Sequence, residues 1–243
     1  MNHYTILMMG YNSKEWIHQS LNTAMKQNHD NYDVIAIDAE TTDGTYDVLL
    51  EYEQEYKNLT VVRNSPRQCQ TQNVYDGCRM VKDKSIIVTL DLDDWFPHDN
   101  VLNVLDKHYN EDIWMTYGSM YQTGNPHIVG LGRHSDHVIE NNLFRFDDWK
   151  ASHLRTYRKE LIMQVDDSYL KDSNGNWLSS AGDVAEMVTM LELCGERFEY
   201  IPEPLYVYNR ENMLSEGTID SSLQLQCEKE AREKTPCSRL ESL

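Results

Sequence analysis

Four short, largely apolar runs, residues 4–9, 32–37, 59–63 and 85–90, alternate with three stretches of helical period in the first hundred residues. Few folds accommodate that order. Apolar runs without regular polar alternation mark strands covered on both faces, and strands separated by helices join a parallel sheet through right-handed crossovers. Between the first two runs, Asn12 and Glu15 have capping-box spacing, and Trp16, Ile17, Leu21, Ala24 and Met25 share one helical face. Asp43-Gly44 marks a turn before a second helix over 45–56, and a third is expected over 71–81. The chain is therefore an α/β protein with a mostly parallel central sheet flanked by helices. Its C-terminal strand ends form one edge, where open α/β sheets hold their ligands.

The fourth run ends in that edge with Asp91, Asp93 and Asp94, three carboxylates in four residues. Such packing costs repulsion unless a cation or hydrogen-bond donors compensate. At a strand end, Asp-x-Asp suits Mn²⁺ or Mg²⁺, held by one or two carboxylates with phosphate oxygens and water completing the shell. The bland alternative is a set of loop aspartates capping the helix expected over 97–109. Asp38 ends the second run and lies on the same edge, and its loop either binds a ribose or base or shapes a strand-to-helix turn.

Beyond residue 110 the pattern is looser. A strand is expected over 113–121, and 122–151 reads as a long functional loop anchored by Leu143, Phe144, Phe146 and Trp149. A helix over 181–194, stopped by Gly195, precedes a strand-like 198–201 and the run 202–208; a surface helix over 221–234 leads to a frayed end. Between 145 and 159 five basic residues stand against Asp147 and Asp148, a local reversal in a chain of net charge −18. That net charge argues against broad adhesion to nucleic acid or anionic lipid. The five cysteines are scattered, with no C-x-x-C pair, and suggest neither a disulfide framework nor a zinc site. No signal peptide or membrane-length apolar run is present, which points to a cytoplasmic setting. The sequon at Asn58 is then a chance match.

Taken in order, several motifs resemble the family 2 glycosyltransferases of GT-A type, whose first half is Rossmann-like. Residues 9–12, Met-Gly-Tyr-Asn, resemble the family's Thr-Tyr-Asn opening, and 34–45 resemble its hydrophobic strand followed by Asp-Asp-Gly-Ser-Thr-Asp-Gly-Thr. Gln72-Asn73 resembles its Arg-Asn, and 90–94 match its Leu-Asp-x-Asp-Asp. Further on, 152–158 resemble the segment entering the acceptor half, Gly182-Asp183 the family's Glu-Asp helix start, and 201–208 its Pro-Glu-Pro-Leu-Tyr strand. Ala39, Glu40, Gln72 and Gly182 depart from the family's usual Asp, Gly, Arg and Glu, and 209–215 lack the His that many members carry.

The resemblance covers about residues 3–215 and implies one domain, with a nucleotide-sugar-binding half over 1–110, an acceptor-side half over 111–215 and a polar, partly helical tail over 216–243. It implies that Met9, Tyr11, Asp38, Glu40, Gln72, Asp91 and Asp94 hold the nucleotide sugar, with Asp91 toward the ribose. Asp93, with Asp91, would bind the metal, and Asp183 would be the base that takes the acceptor's proton. Trp95, His153, Arg155 and Arg210 are weaker candidates for acceptor or phosphate contacts. The implied activity is metal-dependent, inverting transfer of a sugar from a nucleoside diphosphate, with UDP the expected carrier. The acceptor is a hydroxyl on a glycan, a lipid-linked saccharide or a protein; a hydroxylated phage DNA base is disfavoured by the charge. A catalytically degenerate sugar-nucleotide-binding module and a nucleotidyltransferase remain open alternatives.

Overall fold

The computed structural model describes residues 2–212 and 221–243. The parallel half follows the apolar runs. Strand β1 (His3–Gly10) lies between β2 (Tyr32–Asp38) and β4 (Ser85–Asp91), and β3 (Leu59–Arg63) extends the sheet beyond β2, all four parallel. Alternate side chains of β1 enter opposite layers, as the two-residue period requires. Tyr4, Ile6 and Met8 pack with helices α1 (Ile17–Met25), α2 (Thr45–Glu55) and α4 (Val101–His108), while Leu7 and Met9 face α3 (Gln70–Met80).

The sheet continues with a change of direction. Strand β5 (Met115–Gln122) pairs antiparallel with β6 (Asn125–Gly130), and β7 (Thr156–Arg158) lies antiparallel between β4 and β5. The last strand, β8 (Phe198–Tyr208), pairs parallel with β5. This is a mostly parallel α/β sheet of eight strands in one domain. Short helices α5 (Asp136–Glu140) and α6 (Lys159–Ile162) precede the long buried α7 (Gly182–Cys194), which ends at Gly195 with φ 65°, a positive φ that glycine takes without strain.

Several local expectations change. Asn12 does not cap α1; its Oδ1 accepts from Thr42 N at 2.9 Å and ties the first loop to the second. The segment 122–151 is not an unstructured loop, since it carries β6, α5 and a 3₁₀ turn at Phe144–Phe146. Phe146 is no anchor, being 68% exposed, whereas Phe144 is buried.

The chain end is not frayed. Helix α8 (Ser221–Arg232) buries Cys227 and Ala231, and Leu240 N donates to Leu193 O at the end of α7. Arg145 holds this packing together. Its guanidinium, fully buried, pairs with Glu192 of α7 at 2.6 Å and donates to Ala231 O of α8. The 145–159 charge reversal is therefore not one basic face. Arg158 caps the Asn110 and Ile113 carbonyls, Lys159 reaches Val81 O and Asp83, and only Arg155 turns toward the sheet's C-terminal edge. No disulfide joins any of the five cysteines. No helix among the described residues is long and apolar enough to cross a membrane. The proposed boundary at residues 215 and 216 lies outside the described residues.

Candidate functional site

A cleft of about 520 Å³ opens at the C-terminal edge of β1 and β4. Strand β4 delivers Asp91 to it, and the turn that follows adds Asp93 and Asp94. Strand β7 runs antiparallel to β4, with Val88 opposite Thr156, so the residues just before β7 run alongside the carboxylates. Thr89 N donates to Arg155 O at 3.2 Å, which fixes Arg155 there, and His153 follows on the same wall. Helix α7 supplies Asp183 and Glu186 from the opposite side.

The helix reaches the cleft through an unusually close contact. A Cβ on Gly182 would lie 2.0 Å from Thr71 Oγ1, so only glycine lets the start of α7 meet the start of α3. Thr71 Oγ1 also donates to Leu178 O at 2.8 Å, which fixes the approach to α7. The departure at Gly182 thus has a steric cause.

Each carboxylate has a distinct environment. Asp94 is buried, and both its oxygens are taken: Tyr206 Oη donates to one at 2.6 Å and Asn209 N to the other at 2.7 Å. Burial, then the charges of Asp93 and Asp91, push its carboxyl well above the usual range. Asp93 is raised by burial, partly offset by the amide of Asn212, which donates to Oδ2 at 2.7 Å. Asp91 Oδ1 accepts from Gln70 Nε2 at 2.9 Å. Glu186 is raised to about 8 by burial, against the pull of Arg155 and with the repulsion of Asp183 and Asp91. Its Oε1 is buried and has no hydrogen-bond partner among the described residues.

Arg155 Nη1 donates to Asp183 Oδ2 at 2.5 Å. Burial alone would lower the guanidinium, but the charges of Asp183 and Asp91 outweigh it and hold the group protonated. His153 stacks on Tyr206 with ring centroids 4.3 Å apart, and burial, then Arg155, pushes it well below the usual imidazole value. It is a neutral ring at neutral pH. Toward the mouth, the Arg67 guanidinium lies 3.7 Å from the Tyr11 ring centroid.

The cleft gathers Met9, Tyr11, Asp91, Asp93, Asp94, His153, Arg155 and Asp183 from the expected set. It leaves out five others. Asp38 is fully buried, bonded to Thr41 N and paired with Arg63 Nε at 3.2 Å, so the lining begins at Ala39. Glu40 accepts from Ser65 Oγ and Arg67 N and so holds the Arg67 loop from behind. Gln72 lies one turn into α3 toward Asp76, whereas Gln70, at the helix start, reaches Asp91. Trp95 exchanges backbone bonds with Val207, and Arg210 is exposed. Arg67, Gln70, Glu186 and Asn212 are additions to the lining that sequence reasoning missed, and Tyr206 supports it through Asp94; Glu186 alone carried a signal, its i+3 spacing from Asp183.

Among the described residues, five carboxyl groups against two guanidinium groups line the cleft. Among the described residues no three His, Cys, Asp or Glu side chains converge as metal ligands. Mg²⁺ and its analogues are commonly held by one or two carboxylates, with substrate phosphates completing the shell. The hard-oxygen donor set at Asp91 and Asp93 fits such an ion, and the excess of negative charge favours one.

The described fold has counterparts among solved structures. The structure of TarS from S. aureus aligns with a TM-score of 0.66 at 16% identity, over 85% of this chain and 36% of that one. TarS 1-349 in complex with UDP-GlcNAc aligns with a TM-score of 0.64 at 16% identity, over 86% of this chain and 58% of that one. The mannosyltransferase PcManGT from Pyrobaculum calidifontis, in complex with GDP-Man and Mn²⁺, gives 0.58 at 17% identity, over 84% of this chain and 56% of that one. The chain thus spans from about a third to somewhat over half of these neighbours, and at such identities they share its GT-A fold. No curated protein matches the sequence. The model of glycosyl transferase family 2 matches residues 5–163, from β1 through α6 and so through Asp91, Asp93 and Arg155. With that match covering well over half of its length, the chain belongs to glycosyl transferase family 2.

Proposed function

We propose that the chain transfers a sugar from a nucleoside diphosphate to an acceptor hydroxyl, with inversion at the sugar carbon. One observation carries the reading. The carboxylates of the β4 edge and Asp183 of α7, distant in sequence, line the same cleft, with Arg155 bridging toward Asp183. Solved relatives of the same fold hold UDP-GlcNAc in one case and GDP-Man with Mn²⁺ in another, which supports a nucleotide-sugar donor.

Asp93, with Asp91, would hold Mn²⁺ or Mg²⁺, which when bound offsets the charge that builds on the departing diphosphate. Tyr11 and Arg67, stacked at the mouth, flank the base. Asp94 fixes the turn that presents Asp93, since both of its oxygens are committed to β8 and the residue after it.

Asp183 has the access that a base requires, its side chain keeping 40% of its surface. In the proposed step the acceptor O–H gives its proton to Asp183 as its oxygen bonds to the anomeric carbon. The bond from that carbon to the diphosphate oxygen breaks, and its electron pair leaves with the nucleotide. Arg155 orients the carboxylate from behind.

The test is incubation with UDP-, GDP- and dTDP-sugars plus Mn²⁺, with nucleoside diphosphate release as the readout. Release that Asp93→Ala abolishes supports the enzyme. Metal-assisted binding without turnover would make the chain a binding module, and pyrophosphate release from a nucleoside triphosphate would make it a nucleotidyltransferase.

A further inference from the structure

Glu186 lies one turn beyond Asp183 on the same face of α7 and lines the same cleft. It sits deeper than Asp183, with only 5% of its surface exposed. Among the described residues its buried Oε1 has no hydrogen-bond partner, a state that native folds retain at few positions. The polar groups around it are committed elsewhere. Arg155 bonds Asp183 and contacts His153, and Gln70 bonds Asp91. No other part of the molecule combines a cavity, a nine-tenths-buried carboxyl and an unpaired oxygen in this way among the described residues.

The missing partner is a hydrogen-bonding group that arrives with the ligand. In the transferase reading the diphosphate is held with the metal at Asp91 and Asp93, which leaves the sugar as the part of the donor free to reach Glu186. A sugar hydroxyl brings an uncharged O–H. The depth of Glu186, beneath the more exposed Asp183, favours the sugar that enters first with its nucleotide over the acceptor that follows. We propose that Glu186 is a specificity-determining contact whose unpaired carboxyl oxygen is hydrogen-bonded by one hydroxyl of the donor sugar, a group that both donates and accepts. This assignment rests on the transferase reading above. A site built to bond a particular hydroxyl discriminates against sugars that lack it or turn it the other way, because the buried oxygen is then left unpaired again.

The experiment is calorimetric titration with Mn²⁺ present and no acceptor, comparing the unsubstituted protein with Glu186→Met. The ligands are a nucleoside diphosphate, its sugar conjugate and the monodeoxy analogues of that conjugate. Glu186→Met is expected to bind the bare diphosphate within about twofold of the unsubstituted protein and the sugar conjugate at least about tenfold more weakly. One monodeoxy analogue should lose about tenfold on the unsubstituted protein and bind both proteins alike. The melting temperature should hold or rise, since methionine fills the space without an unpaired oxygen; a purely structural Glu186 would lower it and weaken both ligands equally.

Unchanged affinity of Glu186→Met for the conjugate overturns the sugar contact alone. If that variant does not fold, a deoxy series in which no analogue loses affinity for the unsubstituted protein overturns it equally. Failure of the unsubstituted protein to bind any nucleotide sugar overturns the transferase reading itself.

Discussion

Arg155 Nη1 lies 2.5 Å from Asp183 Oδ2, joining the segment before β7 to the first turn of α7. The bond makes two effects of one substitution separable. Asp183→Asn removes the proposed base, and transfer should fall about 10²–10⁴-fold while nucleotide affinity holds. The same change weakens a pair whose acidic side chain is 40% exposed, so the stability loss should stay near ~1 kcal/mol after solvent screening. Turnover assays beside urea melts check both, and near-normal turnover removes Asp183 from the mechanism.

Tyr206→Phe should act on stability first. Tyr206 Oη donates to Asp94 Oδ2 at 2.6 Å and accepts from Asp91 N at 3.3 Å, so its loss leaves two groups short of a partner at the strand end. The expected cost is about 1–3 kcal/mol. Mn²⁺ affinity should fall with it, because the turn presenting Asp93 loses its tie to β8. A variant that melts with the unsubstituted protein would show that Asp94 is held well enough by Asn209 alone.

The first hundred residues disclosed their architecture because doubly covered strands leave continuous apolar runs that helices interrupt with a different period. Strand β6 left no such trace, since it is an edge strand with mostly exposed side chains. Asp91 and Asp93 were legible as site candidates from their place at a strand end, and Asp183 from the resemblance of its segment to the family's helix start. Other parts of the site were invisible for a physical reason. The Tyr206 to Asp94 bond and the Gly182 to Thr71 contact join residues more than a hundred positions apart, and no local pattern marks either. Asp38 shows the converse, a residue marked by its motif whose carboxylate is occupied by Arg63 and Thr41.

Metal binding should carry a pH signature. The carboxyls of Asp93 and Asp94 are raised in the fold, chiefly by burial, so each binds its proton more tightly folded than unfolded. Their contribution to the metal-free protein is therefore favourable at low pH and is lost as pH rises from the ordinary carboxylate range through the raised values. A cation competes with those protons. The rise in melting temperature caused by Mn²⁺ should be largest at neutral pH and above, and should fade on acidification before ordinary carboxylates titrate. Asp93→Asn should stabilise the metal-free protein at neutral pH and abolish the Mn²⁺ response. A Mn²⁺ shift that persists in Asp93→Asn would move the ion away from this carboxylate.

Gly182→Ala tests the contact that brings α7 to the cleft. The added Cβ would stand 2.0 Å from Thr71 Oγ1 and 2.8 Å from Thr71 Cβ, so either the helix start or the start of α3 must retreat. Overpacking of this kind costs about 1–3 kcal/mol. Retreat of α7 would also draw Asp183 away from Arg155, so turnover should fall by more than nucleotide affinity does. Thr71→Ala removes the nearer of the two clashing atoms but forfeits the bond to Leu178 O. The double variant should consequently lose less stability than the two single losses combined, a coupling that a double-mutant cycle of denaturant melts measures directly. Strict additivity would mean that the backbone moves freely at this point and that glycine is not required there.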